Sequence, residues 1–120
     1  MILPAKFRTA FEHGGYLSEH HGGCLALWTP EEFERQLALR QAEAAGGGEA
    51  RNLMRLWAQA SEEVSVDGQG RMMIPPRLRE FAGLTGTVWV NGAVDRVELW
   101  NPGLWEPIRQ AMEGRLREEG

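Results

Sequence analysis

Asp67 and Arg71 stand four residues apart in Val64-Ser65-Val66-Asp67-Gly68-Gln69-Gly70-Arg71-Met72-Met73-Ile74-Pro75. An aspartate set among glycines reads as a tight turn between two extended stretches. The carboxylate can accept from turn amides, and glycine supplies the positive φ such a turn needs. Asp67, Gly68 and Gly70 are therefore the expected turn organisers. An arginine opening the returning strand can be oriented by that carboxylate and still present donors to a phosphate. Four further bases share a setting: Lys6 and Arg8 follow Pro4, and Arg77 and Arg79 follow Pro75-Pro76. Scattered surface ion pairs are the bland alternative for all five, and such pairs are worth little. Arg79, with Glu80 and Glu98 available to it, fits that alternative best. Recurrence of bases beside proline in two places favours anion binding.

Other chemistries find less support. His13, His20, His21 and Cys24 match no common zinc spacing, and Cys24 falls on an expected strand, so no metal site is expected. The chain carries no Gly-x-Ser-x-Gly elbow, phosphate-binding glycine loop or dinucleotide fingerprint. Gly46-Gly47-Gly48 lacks a following Lys-Ser/Thr and reads as a linker. No catalytic residue, cofactor or enzymatic activity is expected. Trp28, Trp57, Trp89, Trp100 and Trp105 could stack on bases, but their strand and helix periodicity assigns them to core or interface.

The elements that carry these residues repeat. Leu3-Pro4-Ala5-Lys6-Phe7-Arg8 aligns with Ile74-Pro75-Pro76-Arg77-Leu78-Arg79 at an offset of 71. Leu25-Ala26-Leu27-Trp28-Thr29-Pro30 aligns with Val97-Glu98-Leu99-Trp100-Asn101-Pro102 at an offset of 72, and Phe33-Glu34 answers Trp105-Glu106. Two separated blocks at a nearly constant offset indicate internal duplication. Each unit should run from an apolar strand end through proline into a short helix. In the second unit that helix spans Pro75 to Ala82, with Leu78, Phe81 and Ala82 on one face and Gly83 as its stop. Two strands follow: Val88-Trp89-Val90 and Val97 to Trp100, around Asn91-Gly92 as a turn signal within a longer loop, and in the first unit the corresponding loop is Glu19 to Gly23, before a strand from Cys24 to Trp28. Thr29-Pro30-Glu31-Glu32 reads as a capping box with proline at the first helical position, and Asn101-Pro102 repeats the cap and the proline. Phe33, Leu37 and Ala44 mark one linker helix, and Leu53, Leu56, Trp57 and Ala60 a second. Trp105, Ile108, Met112 and Leu116 lie on one face of a C-terminal helix.

Composition sets the outer bounds. A chain of 120 residues, 42% hydrophobic and 25% charged, folds as one domain or two very small ones. A single cysteine, no signal-like leader and no apolar run of membrane length point to the cytoplasm. The net charge of −4 argues mildly against nucleic acid, but the acids concentrate in the expected helices and the bases elsewhere.

Taken together these residues resemble the MraZ family, regulators of the bacterial division and cell-wall gene cluster, built from swapped-hairpin units of the SpoVT/AbrB type. The resemblance rests on Asp67 and Arg71, Ile74 to Arg79, Ala82-Gly83-Leu84, Asp95 to Trp100 and Trp105-Glu106. In the first unit it rests on Leu3 to Arg8 and Cys24 to Leu27. It implies an α/β fold of short strands and helices, a duplicated AbrB-like barrel with interleaved units. It also implies a homo-oligomer, a ring, that binds double-stranded promoter DNA through Lys6, Arg8, Arg71, Arg77 and Arg79. The units are expected at residues 1–32 and 61–104, joined by a helical linker at 33–60 and followed by a helix at 105–120. The first unit's counterpart of Asp67 falls five positions before Met1, so that unit is expected to lack its opening strand. Gln69 stands where the family often has lysine. The function implied is a sequence-specific, nucleoid-associated repressor with no membrane partner. An antitoxin-like protein-interaction module, using the C-terminal helix around Trp105 and Met112, is the alternative.

Overall fold

The computed structural model describes residues 1–119. Its helices are α1 (Ala5–Arg8), α2 (Pro30–Ala44), α3 (Gly48–Ala60), α4 (Pro76–Ala82) and α5 (Pro102–Glu119). Its strands are β1 (Gly15–Glu19), β2 (Leu25–Trp28), β3 (Glu62–Val64), β4 (Trp89–Gly92) and β5 (Val97–Trp100). The five strands form one antiparallel sheet in the order β3-β1-β2-β5-β4. The α/β class holds, but the expected barrel does not close: among the described residues β3 and β4 remain edges.

The two halves exchange strands. β3 precedes the second unit yet pairs with β1 of the first, and β2 pairs with β5 across the centre. The central register sets Ala26 opposite Glu98, residues that the repeat equates. Met1 and Met72, also equated by the repeat, exchange two backbone hydrogen bonds of 2.7 and 2.9 Å. Leu3 then donates to the Gly70 carbonyl at 2.7 Å, and Ile2 faces Arg71 in an isolated antiparallel bridge. The strand expected after the Asp67 turn is thus a single bridge, ended by Pro75, which has no N–H to continue it.

Local chemistry sets the helix ends. The Thr29 hydroxyl accepts from the Glu32 amide at 3.2 Å, but the Glu32 carboxylate bonds Arg35 and Gln36 instead of returning to the cap, so half of the capping box forms. Asn101 caps α5 by accepting from the Gly103 amide at 2.9 Å. Gly83, at φ 65°, and Leu84 return their amides to Glu80 and Arg79, a six-to-one closure that stops α4 sharply. Asn91 and Gly92, expected as a turn, belong to β4. The reversal comes one step later at Ala93 to Arg96, with Val94 at φ 63°.

Every residue of β2 and β5 is buried because both sheet faces are covered. One face joins Leu25, Leu27, Val97 and Leu99 to Leu3, Phe11, Ile74, Leu78 and Ala82. The other packs Ala26, Trp28 and Phe33 against Tyr16, Leu37 and Trp57, with the Tyr16 and Phe33 rings stacked at 4.2 Å. Trp28 donates its indole proton to Ser18 at 2.8 Å, which satisfies both buried polar atoms. The apolar stripes expected on three helices are only partly used. Phe81 of α4, Leu53 and Leu56 of α3, and Ile108, Met112 and Leu116 of α5 remain exposed. No helix of the described residues is long and apolar enough to cross a membrane.

Candidate nucleic-acid interface

The turn after β3 is organised by one carboxylate. Asp67 Oδ1 accepts from the amides of Gln69 and Arg71, each at 2.9 Å, and Oδ2 accepts from Arg71 Nε at 2.6 Å. The Arg71 amide, then its guanidinium, hold the Asp67 carboxyl below the usual carboxylate range. Of the two glycines only Gly70 is required by geometry. It sits at φ 82°, and a Cβ there would lie 2.6 Å from the Leu3 carbonyl oxygen and against Arg8. Gly68 lies within the turn closed by the Gly70 amide on the Asp67 carbonyl, but it adopts no positive φ and has open space around it, so the backbone does not demand glycine there.

Three arginines gather where residues 1–3 meet residues 70–72. Arg71 spends Nε on Asp67, its side chain is 66% exposed, and its Nη atoms meet no protein acceptor among the described residues. Arg8 donates Nε to the Leu3 carbonyl at 3.0 Å, and Arg79 donates Nη2 to the Ile74 carbonyl at 3.1 Å. These two contacts are equivalent under the repeat, each reaching back five residues to the carbonyl just before proline. Such a bond fixes the guanidinium while leaving other donors for a ligand. Arg71 and Arg79 share a shallow concavity with Met1, Ile2, Met72 and Met73, while the Arg8 guanidinium lies against Gly70. Arg79 takes neither Glu80 nor Glu98: the latter already accepts from Arg96 Nε at 2.8 Å and Trp100 Nε1 at 3.0 Å.

The remaining two bases separate. Lys6 is exposed, with its ammonium 5.1 Å from the Phe7 ring and no carboxylate partner among the described residues. Arg77 turns the other way, donating to the Ala60 carbonyl at 2.7 Å and pairing with Glu19 at 3.4 Å and Glu62 at 3.5 Å. It clamps α4 onto β1 and β3, so its charge is largely spent within the fold. Residues 1–8 and 70–79 together contain all five bases and no acid, leaving eight bases against seventeen acids elsewhere.

Sequence reasoning missed two residues on this surface, Ile2 and Met73, which are 63% and 77% exposed beside the arginines. Two signals were present: alternation along Arg71-Met72-Met73-Ile74 and the equivalence of Ile2 with Met73 at offset 71. The His20 and His21 rings lie 5.2 Å apart, and Cys24 donates its thiol to the His21 carbonyl at 3.5 Å. Among the described residues no group of His, Cys, Asp or Glu is placed to hold a metal ion. Burial pushes the Cys24 thiol up to about 12. Trp28, Trp57, Trp100 and Trp105 engage in ring contacts within the packing, whereas Trp89 is 42% exposed and bonds Asn91.

Comparison with known proteins gives one consistent family. Residues 58–118 match a family model described as "MraZ protein, putative antitoxin-like". The chain is 34% identical to "Transcriptional regulator MraZ" of Cutibacterium acnes, over 93% of this chain and 79% of that protein. It is 38% identical to the protein of the same name from Clavibacter michiganensis subsp. michiganensis, over 94% of this chain and 79% of the relative. With that of Saccharopolyspora erythraea it shares 39% identity over 88% and 74%.

Proposed function

The chain belongs to the MraZ family, and we propose that it is a sequence-specific, DNA-binding transcriptional regulator. The observation that carries this reading is the surface where Arg8 and Arg79 are held by backbone carbonyls and Arg71 by Asp67 alone, each through one edge, with their remaining donors left for a ligand. Fixed guanidinium groups suit phosphate oxygens, and phosphate contacts position a protein on duplex DNA while base edges supply the sequence choice. Arg71, Arg79 and Arg8 contact the DNA backbone, Lys6 adds charge at the rim, and Arg77 serves mainly as a structural clamp. No catalytic step enters. The target is the promoter of the division and cell-wall gene cluster, including the protein's own operon, acting as a repressor in the cytoplasm at the nucleoid.

Assembly into a homo-oligomeric ring belongs to the same proposal. The exposed apolar faces of α3 and α5 support it, being two different surfaces on one chain and therefore suited to a head-to-tail contact. A ring presents the arginine cluster many times, which multiplies weak contacts through effective concentration.

The test is fluorescence anisotropy on promoter DNA across a salt series, with Arg71→Ala beside the wild type. Each lost phosphate contact should reduce the log–log salt slope by about 0.9. A folded protein whose affinity does not respond to salt would refute the reading.

A further inference from the structure

Residues 1–3 and 70–73 form a short two-stranded ribbon with a sorted pair of faces. Leu3, Met72 and Ile74 point inward and are at most 4% exposed. Ile2, Arg71 and Met73 point outward: Ile2 faces Arg71 across the bridge, and Met73 lies two residues on along the same face. Residues directly opposite in an antiparallel pair share a face, so the outer side presents apolar tips beside a guanidinium. Arg8 and Arg79, anchored to the carbonyls of Leu3 and Ile74, flank the ribbon. We propose that Ile2 and Met73 read thymine 5-methyl groups in the major groove, an inference that rests on the regulator reading above.

First, the dimensions fit: paired strands lie about 4.8 Å apart, and a two-stranded ribbon enters a major groove about 12 Å wide. Second, the flanking charge selects the partner. A second copy docked face to face would set arginine against arginine, whereas a polyanion neutralises the cluster and brings its groove onto the apolar tips. Third, the major-groove floor offers one prominent apolar feature to such tips, the thymine methyl. Guanidinium groups that hold phosphates on either side leave Ile2 and Met73 to face the base edges. The repeat equates these two residues, so a single chain carries the contact twice.

The experiment compares a duplex from upstream of the protein's own coding region with the same duplex carrying deoxyuridine for every thymine. The chain and an Ile2→Ala/Met73→Ala variant are both titrated by anisotropy over a salt series. Loss of one buried methyl contact should weaken binding on the order of four-fold. The proposal expects the wild type to lose at least that on the uracil duplex, with the salt slope unchanged. The double variant should bind both duplexes alike, near the wild type's affinity for the uracil form. Equal wild-type affinities with a normal salt slope overturn the proposal and leave the regulator reading standing. So does a uracil penalty undiminished in the double variant, because the methyls would then act through duplex shape. Absence of salt-dependent binding to either duplex removes the regulator reading and this inference with it. If the double variant folds poorly, the Ile2→Ala and Met73→Ala single variants supply the same comparison, each losing part of the uracil penalty.

Discussion

His20 makes stability depend on pH in a defined window. Its side chain is 12% exposed at the end of β1, edge-on to the Trp28 ring at 5.9 Å and 3.8 Å from a Glu98 carboxylate oxygen. Burial is the main cause that lowers its pKa to about 4, and Arg96 adds to it. Glu98 opposes the shift, but its charge is already engaged by Arg96, while His21 and Arg40 push further down. The neutral imidazole is thus favoured in the fold. In the unfolded chain His20 takes up its proton near pH 6.5, whereas in the native state it waits until about pH 4. Its contribution is complete above pH 6.5 and is lost as pH falls toward 4, amounting to about 3 kcal/mol over that interval. Urea unfolding at intervals from pH 7.5 to 4 measures the loss, and His20→Gln should flatten the curve within the window. Parallel curves for the two proteins would refute the reasoning. So would an NMR titration placing the His20 midpoint at or above 6.5.

Two further perturbations follow from the backbone. Val94 is fully exposed at φ 63°, a conformation disfavoured for a β-branched residue. Val94→Asn should therefore stabilise by about 1 kcal/mol in denaturant unfolding, and a loss of stability would show that the valine is held by contacts rather than strained. Gly70→Ala should cost roughly 1–3 kcal/mol, because its new Cβ meets the Leu3 carbonyl at a positive φ. Gly68→Ala, with no such conflict, should change stability little, and equal losses at both positions would contradict the assigned turn geometry.

What was legible in the sequence is what short-range chemistry dictates. The Asp67 turn, the Thr29 and Asn101 caps, the Gly83 stop and the repeat all lie within a few residues or recur at a fixed offset. The partners of Arg77 were not legible, because Glu19 lies 58 residues away and Glu62 lies 15. They meet only once β3 crosses to the first half. The turn after β4 was misplaced because Asn-Gly is the stronger local signal, yet the register with β5 carries pairing through Gly92 opposite Val97. Burial of Glu98 was equally hidden. Alternation suggests an outward residue, whereas helices cover both faces of the central strands and Arg96 and Trp100 satisfy the carboxylate.

The excess of acid over base does not weaken the case for a DNA partner, and the fold explains why. Among the acids, Glu32 pairs with Arg35 on α2, Glu106 and Glu113 both engage Arg109 on α5, and Glu19 and Glu62 hold Arg77. Charges paired in this way have little field left at a distance, and at physiological ionic strength exposed charges are screened within about 8 Å. A phosphate approaching the ribbon therefore experiences the local arrangement. There the guanidinium groups of Arg8 and Arg79 are fastened to backbone carbonyls rather than to carboxylates, so their charge is oriented without being neutralised. Arg71 is the one member held by an acid, and its exposed Nη edge remains available. Net charge counts ions, whereas this surface depends on which ions already have partners.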